Sequence, residues 1–201
     1  MLVQGIKSRP VYGTLKARPA GPLHLFVADG EGAQAILDMA AGAPAGFFGK
    51  AHIVYIPGGA APKAYGDKLA ALKPDQFYQG PSIAAALPRL AQTLATARMG
   101  TQVYLAGTEG LIGQAMKVAL EAGIDHTSMQ TEHRGSEARR VQCVHCKGIT
   151  EDVRTQPVVC AHCGLTLLVR DHYSRRIAAF QGVRIDAEEP GVIPPTEELF
   201  P

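Results

Sequence analysis

LHLFVADGEGAQAILDMAAG, residues 23–42, decides how the longer part of this chain is read. LHLFVA (23–28) is a near-continuous apolar run, the pattern of a β-strand buried on both faces. Gly30 and Gly32 follow it, and apolar residues at helical spacing begin at about Ala33, with Gly42 as a stop. A buried strand that turns through glycine into a helix is the opening of a βαβ unit.

The same alternation continues outward. AHIVYIP (51–57) predicts a second buried strand ended by Pro57, Gly58 and Gly59, and 64–73 a short helix. QFYQ (76–79) predicts a short third strand, and 82–100 a helix with Ser82 as N-cap and Gly100 as stop, kinked or delayed by Pro88. Residues 101–107 predict a strand, 108–123 a helix closed by Gly123, and 124–133 a last strand. Strands alternating with helices imply an α/β fold, a doubly wound parallel sheet, over residues 23–138. Its glycine turns, after Ala28 and Ala106, lie at carboxyl ends of strands, where open sheets of this kind bind ligands. Residues 1–22 read as an N-terminal arm with one strand-like piece, VYGTLKA, and the polar stretch 134–142 as a linker.

From residue 143 the character changes. CVHCKGITEDVRTQPVVCAHC (143–163) holds all four cysteines as two C-x-x-C pairs. Two such knuckles supply four thiolates around a tetrahedral ion and leave no open position, so a structural Zn2+ on Cys143, Cys146, Cys160 and Cys163 is expected. A rubredoxin-type iron site uses the same ligands, whereas a 2Fe–2S cluster of plant type needs a different spacing. A redox dithiol needs one pair, not two. Gly148 and Gly164 are expected to let the backbone fold back near the sulfurs, with His145 and His162 as exposed knuckle residues. The ribbon, 139–185, continues into two strand-like pieces, TLLVRDHYS and IAAFQGVRI. The tail, 186–201, is acidic and Pro-rich and is not expected to be helical throughout.

The net charge of +2 is too small to argue for nucleic acid or membrane. No apolar run reaches a membrane span, and MLVQGIKSRPVYG has no apolar signal core, so a cytoplasmic protein is expected. Reducing conditions there favour metal binding over disulfides. Neither H-E-x-x-H nor a Ser-His-Asp signature occurs. His24 and His52 fall in buried-strand patterns, where a core or edge histidine is expected; His126 and His133 fall in an edge segment.

LFVADGEGAQAILDMA and QVYLAGTEGLIGQAMKVALEAGI, in that order and spacing, resemble the nicotinamide-nucleotide module of flavoprotein ferredoxin reductases over residues 23–133. The resemblance implies a nucleotide site at Gly30, Gly32 and Gly107. The departures point elsewhere. Asp29 replaces a glycine of the first motif, Glu31 adds a carboxylate, and Ala106 and Thr108 replace the Cys and Pro of the second. IPGG (56–59) stands where such reductases often carry a phosphate-binding Arg, and residues 1–22 are too few for their flavin barrel. Carboxylates at the turn would repel a pyrophosphate, so the expectation is a vestigial site on a retained scaffold. The alternative is an electron-transfer subunit that binds NAD(P)H there.

Residues 139–185 carry eight Lys or Arg against three Asp or Glu, while the tail carries five acids and no base. A basic hairpin bearing Arg170, His172, Tyr173, Arg175, Arg176 and Arg184 suits a nucleic-acid-binding ribbon as a second alternative, weakened by the acidic tail. CVHCKG, CAHCG, VRDHYSRRIAAFQGV and DAEEPG resemble the small zinc-ribbon-bearing subunit of bacterial dimethylamine monooxygenase, and the first domain fits that subunit too. That resemblance implies a multi-subunit, NAD(P)H-dependent oxidoreductase that uses O2 to convert dimethylamine to methylamine and formaldehyde. It places haem in one partner subunit and FMN with a 2Fe–2S cluster in another. This chain would then be a non-catalytic scaffold with no catalytic residue of its own. Tyr173, Arg175 and Arg176 are the expected partner contacts.

Overall fold

A computed structural model describes residues 8–58, 61–62 and 64–201. Gly59, and residues 1–7 of the expected arm, lie outside these. The chain divides into two compact units, 12–135 and 1–11 with 136–201.

In the larger unit β1 (His24–Asp29), β2 (Ala51–Ile56), β3 (Gln76–Gln79), β4 (Gln102–Gly107) and β5 (Met129–His133) alternate with α1 (Gly32–Ala40), α2 (Tyr65–Ala71), α3 (Ile83–Ala95) and α4 (Glu109–Glu121). All strand pairings are parallel, in the order β3-β2-β1-β4-β5. The connections therefore run outward on one side of β1 and then restart on the other, so β1 and β4 flank a topological switch point.

The near-continuous apolar strands follow from covering both faces. Phe26, Ala28, Ile53, Tyr55 and Tyr104 pack with Ile36 and Met39 of α1 and Tyr65 and Leu69 of α2. The alternate residues Leu25, Val27, Val54, Val103 and Leu105 pack with Leu90 and Leu94 of α3 and Leu111, Ile112 and Ala115 of α4. This is the doubly wound architecture that the sequence implies. Ser82 caps α3 by accepting from the Ala85 N–H, and Pro88 sits inside that helix. The outer edge of β5 is covered by residues 13–16. Gly13 N–H donates to the Thr131 carbonyl, Lys16 exchanges two bonds with the Gln130 side chain, and Leu15 is buried. Covering an edge in this way removes a template for aberrant pairing.

In the smaller unit β6 (Arg139–Cys143), β7 (Ile149–Val153), β9 (Val158–Val159), β10 (Thr166–Ser174) and β11 (Ala179–Arg184) form one sheet in the order β7-β6-β11-β10-β9. β8 (Thr155–Gln156) pairs with β12 (Glu197–Glu198). The stretch read as a linker is thus corrected at its end. Residues 139–143 form a strand between two others, with Arg139 and Val141 buried. Its arginines hid the pattern, because Arg139 points inward as an ion-paired residue where an apolar one would be expected. The tail is extended, with one short strand and a buried Phe200.

Candidate metal centre and nucleotide crevice

Cys143 ends β6, Cys146 lies in the following turn, Cys160 follows β9, and Cys163 precedes β10. The two knuckles repeat one hydrogen-bond pattern. Cys143 N–H donates to the Gly148 carbonyl as Cys160 N–H does to that of Leu165; Lys147 N–H donates to the Cys143 carbonyl as Gly164 N–H does to that of Cys160. The residue after each pair takes a positive φ, +74° at Gly164 and +64° at Lys147. At Gly148 the backbone folds back near the sulfurs as expected, and a Cβ there would strike the His162 ring. That ring also lies 2.8 Å from the Ile149 carbonyl through Nε2, so His162 ties the two knuckles together and is more than an exposed bystander.

The four sulfurs lie within 4.8 Å of one another. Cys143 and Cys163 are 3.8 Å apart, and Cys146 and Cys160 3.7 Å. A tetrahedron of sulfurs about 2.3 Å from a central ion has edges of about 3.8 Å. The donor set therefore fits a four-coordinate, thiophilic metal ion, and the Gly148 N–H, 3.4 Å from Cys146 Sγ, offsets thiolate charge. All four ligands come from the protein, so such an ion has no position for substrate.

The second candidate lies at the switch point of the larger unit. Gly32 packs so closely on β4 that a Cβ would run into the Ala106 carbonyl. Gly107 has φ +127°, and a Cβ there would strike the Asp29 carboxylate. These glycines, with Gly30 in the turn after β1, are where a dinucleotide module needs close backbone approach. Yet Asp29 Oδ1 accepts the Thr108 N–H at 2.7 Å and Asp29 Oδ2 the Thr108 hydroxyl at 2.6 Å. Thr108 is itself the N-cap of α4, accepting from the Leu111 N–H. Burial raises the Asp29 pKa, against the opposing pull of the two Thr108 bonds. Other acids gather at the same strand ends. Glu109 accepts the Tyr12 hydroxyl at 2.7 Å, and the buried Glu132 accepts from Leu15 N–H and from Arg134. Sequence reading found the Asp29 charge but not its partner, since Thr108 lies 79 residues away.

Arg139 pairs with Asp171, Arg140 with Glu151, Arg154 with Asp152, and Arg184 with Asp186. Arg175 and Arg176 are exposed in the turn between β10 and β11, and among the described residues neither makes an ion pair. Tyr173 is half-buried, its ring edge-on to Phe180 at 5.0 Å.

These features define a class: a degenerate nucleotide-type α/β module followed in the chain by a ribbon of zinc-ribbon type. Family models for dimethylamine monooxygenase subunit DmmA-like proteins match residues 4–129 (N-terminal domain) and 140–183 (C-terminal domain). The chain belongs to this DmmA-like family. A curated relative, the heme-dependent oxidative N-demethylase delta subunit of Ectopseudomonas mendocina (strain ymp), is 35% identical over 112 residues. The match covers 55% of this chain and 63% of the relative, which is less than two thirds of it. Among solved structures, an intact type IV self-sufficient cytochrome P-450 monooxygenase has a TM-score of 0.43 at 22% identity, covering 78% of this chain and 19% of that one. The flavohemoglobin of Malassezia yamatoensis has a TM-score of 0.39 at 17% identity, covering 61% and 34%. No helix among the described residues is long and apolar enough to cross a membrane.

Proposed function

We propose that this chain is a non-catalytic scaffold subunit of a cytoplasmic, NAD(P)H- and O2-dependent dimethylamine monooxygenase. It docks a haem-bearing oxygenase subunit and a reductase subunit carrying FMN and a 2Fe–2S cluster, and fixes their spacing. The observation that carries this reading is the closed switch point. Asp29 places a carboxylate, already bonded to Thr108, where a dinucleotide's pyrophosphate would seek free amides and positive potential. Zn2+ on Cys143, Cys146, Cys160 and Cys163 builds the ribbon and is redox-silent. Tyr173, Arg175 and Arg176 are the contacts offered to a partner. Membership of the DmmA-like family supports the choice of complex.

One observation favours a second reading, an electron-transfer subunit that binds NAD(P)H at Gly30, Gly32 and Gly107. The backbone at Gly32 and Gly107 keeps the close packing of a nucleotide module.

Reconstitution tests the choice. The chain co-expressed with the haem and flavin subunits is expected to form one stable complex with dimethylamine-dependent NAD(P)H oxidation. Alone it is expected to do neither chemistry nor nucleotide binding. Turnover of the amine by the isolated chain would overturn the scaffold reading.

A further inference from the structure

Residues 187–199 of the ribbon lobe are all exposed, yet the segment is pinned at both ends. At one end Arg184 Nε and one terminal nitrogen donate to the two Asp186 oxygens at 2.7 and 2.9 Å. The Gly191 N–H donates to the same carboxylate at 3.0 Å, and the Val192 N–H to the Glu189 carbonyl at 3.1 Å, closing a turn. At the other end β12 pairs with β8, and the Leu199 and Phe200 N–H groups both donate to the Arg154 carbonyl. Phe200 is buried with its ring centroid 4.0 Å from the Arg139 guanidinium carbon, which lies 4.1 Å from that of Phe180 on its other contact. Pro190, Pro194 and Pro195 fix φ in between.

This held segment displays three large aliphatic side chains to water, Val192 at 61%, Ile193 at 49% and, at its anchored end, Leu199 at 45% exposure. Glu188 and Glu189 precede Val192 and Ile193, Glu197 and Glu198 follow them, and residues 185–201 contain no Lys or Arg. Apolar groups on a backbone ordered in advance lose little further entropy on binding, which is what preorganised contact surfaces exploit. The flanking acids repel anionic lipid and nucleic acid and complement a basic surface.

We propose that residues 187–199 are a docking strap for a partner protein whose surface has an apolar cleft rimmed by Lys or Arg. Val192 and Ile193 enter the cleft, and the glutamates meet the rim. The proposal rests on the scaffold reading and adds a surface of opposite charge to the Arg175–Arg176 turn, so one ribbon lobe engages two partners of different sign. A second copy of this chain is a poorer fit. Beside its exposed basic turn Ile177 is half-buried and Ala178 and Ala179 are buried, so little apolar surface is offered there.

The test uses the full chain and the separately expressed haem and flavin/iron–sulfur subunits, each immobilised in turn, at low and high salt. V192S/I193S is expected to weaken binding to one of the two subunits by about tenfold or more. E188Q/E189Q is expected to weaken the same complex and flatten its salt dependence. Both variants should melt at the temperature of the unmodified chain, because these side chains are exposed. Unchanged affinity and salt dependence in the two variants would overturn the strap while leaving the scaffold reading intact. Loss of self-association instead would assign the strap to a second copy and overturn it as stated. If the unmodified chain binds neither subunit, both the strap and the scaffold reading fail.

Discussion

Asp29, at the end of β1, and Thr108, the cap of α4, share two hydrogen bonds of 2.7 and 2.6 Å across the switch point of the sheet. A carboxylate thus takes the amide that the fold otherwise offers to an anionic ligand. Titration with NADH or NADPH is expected to give no saturable signal in fluorescence or calorimetry; micromolar affinity would refute the closed crevice. Asp29→Ala should destabilise the larger unit by about 1.5–3 kcal/mol in urea melts, the range for losing hydrogen bonds to a buried charged group.

Gly32 fits because it has no Cβ. Gly32→Ala would press a methyl group into the Ala106 carbonyl and should cost about 1–3 kcal/mol, since backbone yields less readily than a flexible side chain. An unchanged melting temperature would show that α1 can move away from β4.

One zinc per chain is expected in purified protein, which should be colourless. Cys160→Ser, or a strong chelator, should unfold the ribbon lobe, because structural zinc supplies folding free energy on the order of 10 kcal/mol. Circular dichroism and limited proteolysis would read this, with cleavage beginning within 143–163. A lobe that stays protease-resistant without metal would mean that the cluster around Val141, Leu167 and Phe180 suffices.

His24 gives the larger unit a particular acid sensitivity. It is 1% exposed and stacks on Phe47 at 4.3 Å, and among the described residues its buried Nδ1 has no hydrogen-bond partner. Burial first, then the nearby Lys50, holds its pKa below the ordinary value. A histidine with a lowered folded pKa binds its proton more readily when unfolded. Its contribution is therefore complete above about pH 6.5 and is lost as the pH falls towards the folded value, with a slope of at most about 1.4 kcal/mol per pH unit. Asp29 acts in the opposite sense, because its raised pKa favours the folded state on acidification. His24→Phe should accordingly be less acid-sensitive than the unmodified chain in melts between about pH 6.5 and 5. Identical pH profiles would show that His24 stays neutral in both states.

Phe200→Ala removes one wall of the Arg139 sandwich and should cost the ribbon lobe about 3–5 kcal/mol, as for other buried aromatics. The tail should then become cleavable by protease at Glu197–Glu198 before the rest of the lobe. Retention of the protected tail would place its anchor in the β8–β12 pairing instead.

The elements of the larger unit were legible because each is marked locally. The apolar runs 23–28 and 51–57 have no polar face to misread, and Ser82, Gly42 and Gly123 mark helix ends within a few residues of where the helices stop. The ribbon is legible in its thiol positions and in its two longer hairpin strands, β10 and β11, but not in the rest of its sheet. Two C-x-x-C pairs state their own spacing, whereas β6 begins with two arginines whose partners, Asp171 and Glu151, lie on other strands. The pairing of the ribbon's other arginines is hidden for the same reason: composition counts charges, and only the fold says which partner each one meets.

The sequence by itself determined the alternation of strands and helices, the position of the glycine turns and the four thiols, since each depends on residues near one another in the chain. Tertiary structure alone decided that Asp29 meets Thr108, that Phe200 closes on Arg139, and that His162 links the knuckles. Those contacts join segments held together by packing and strand register, and no local propensity or spacing encodes which distant side chain a buried charge or ring will meet.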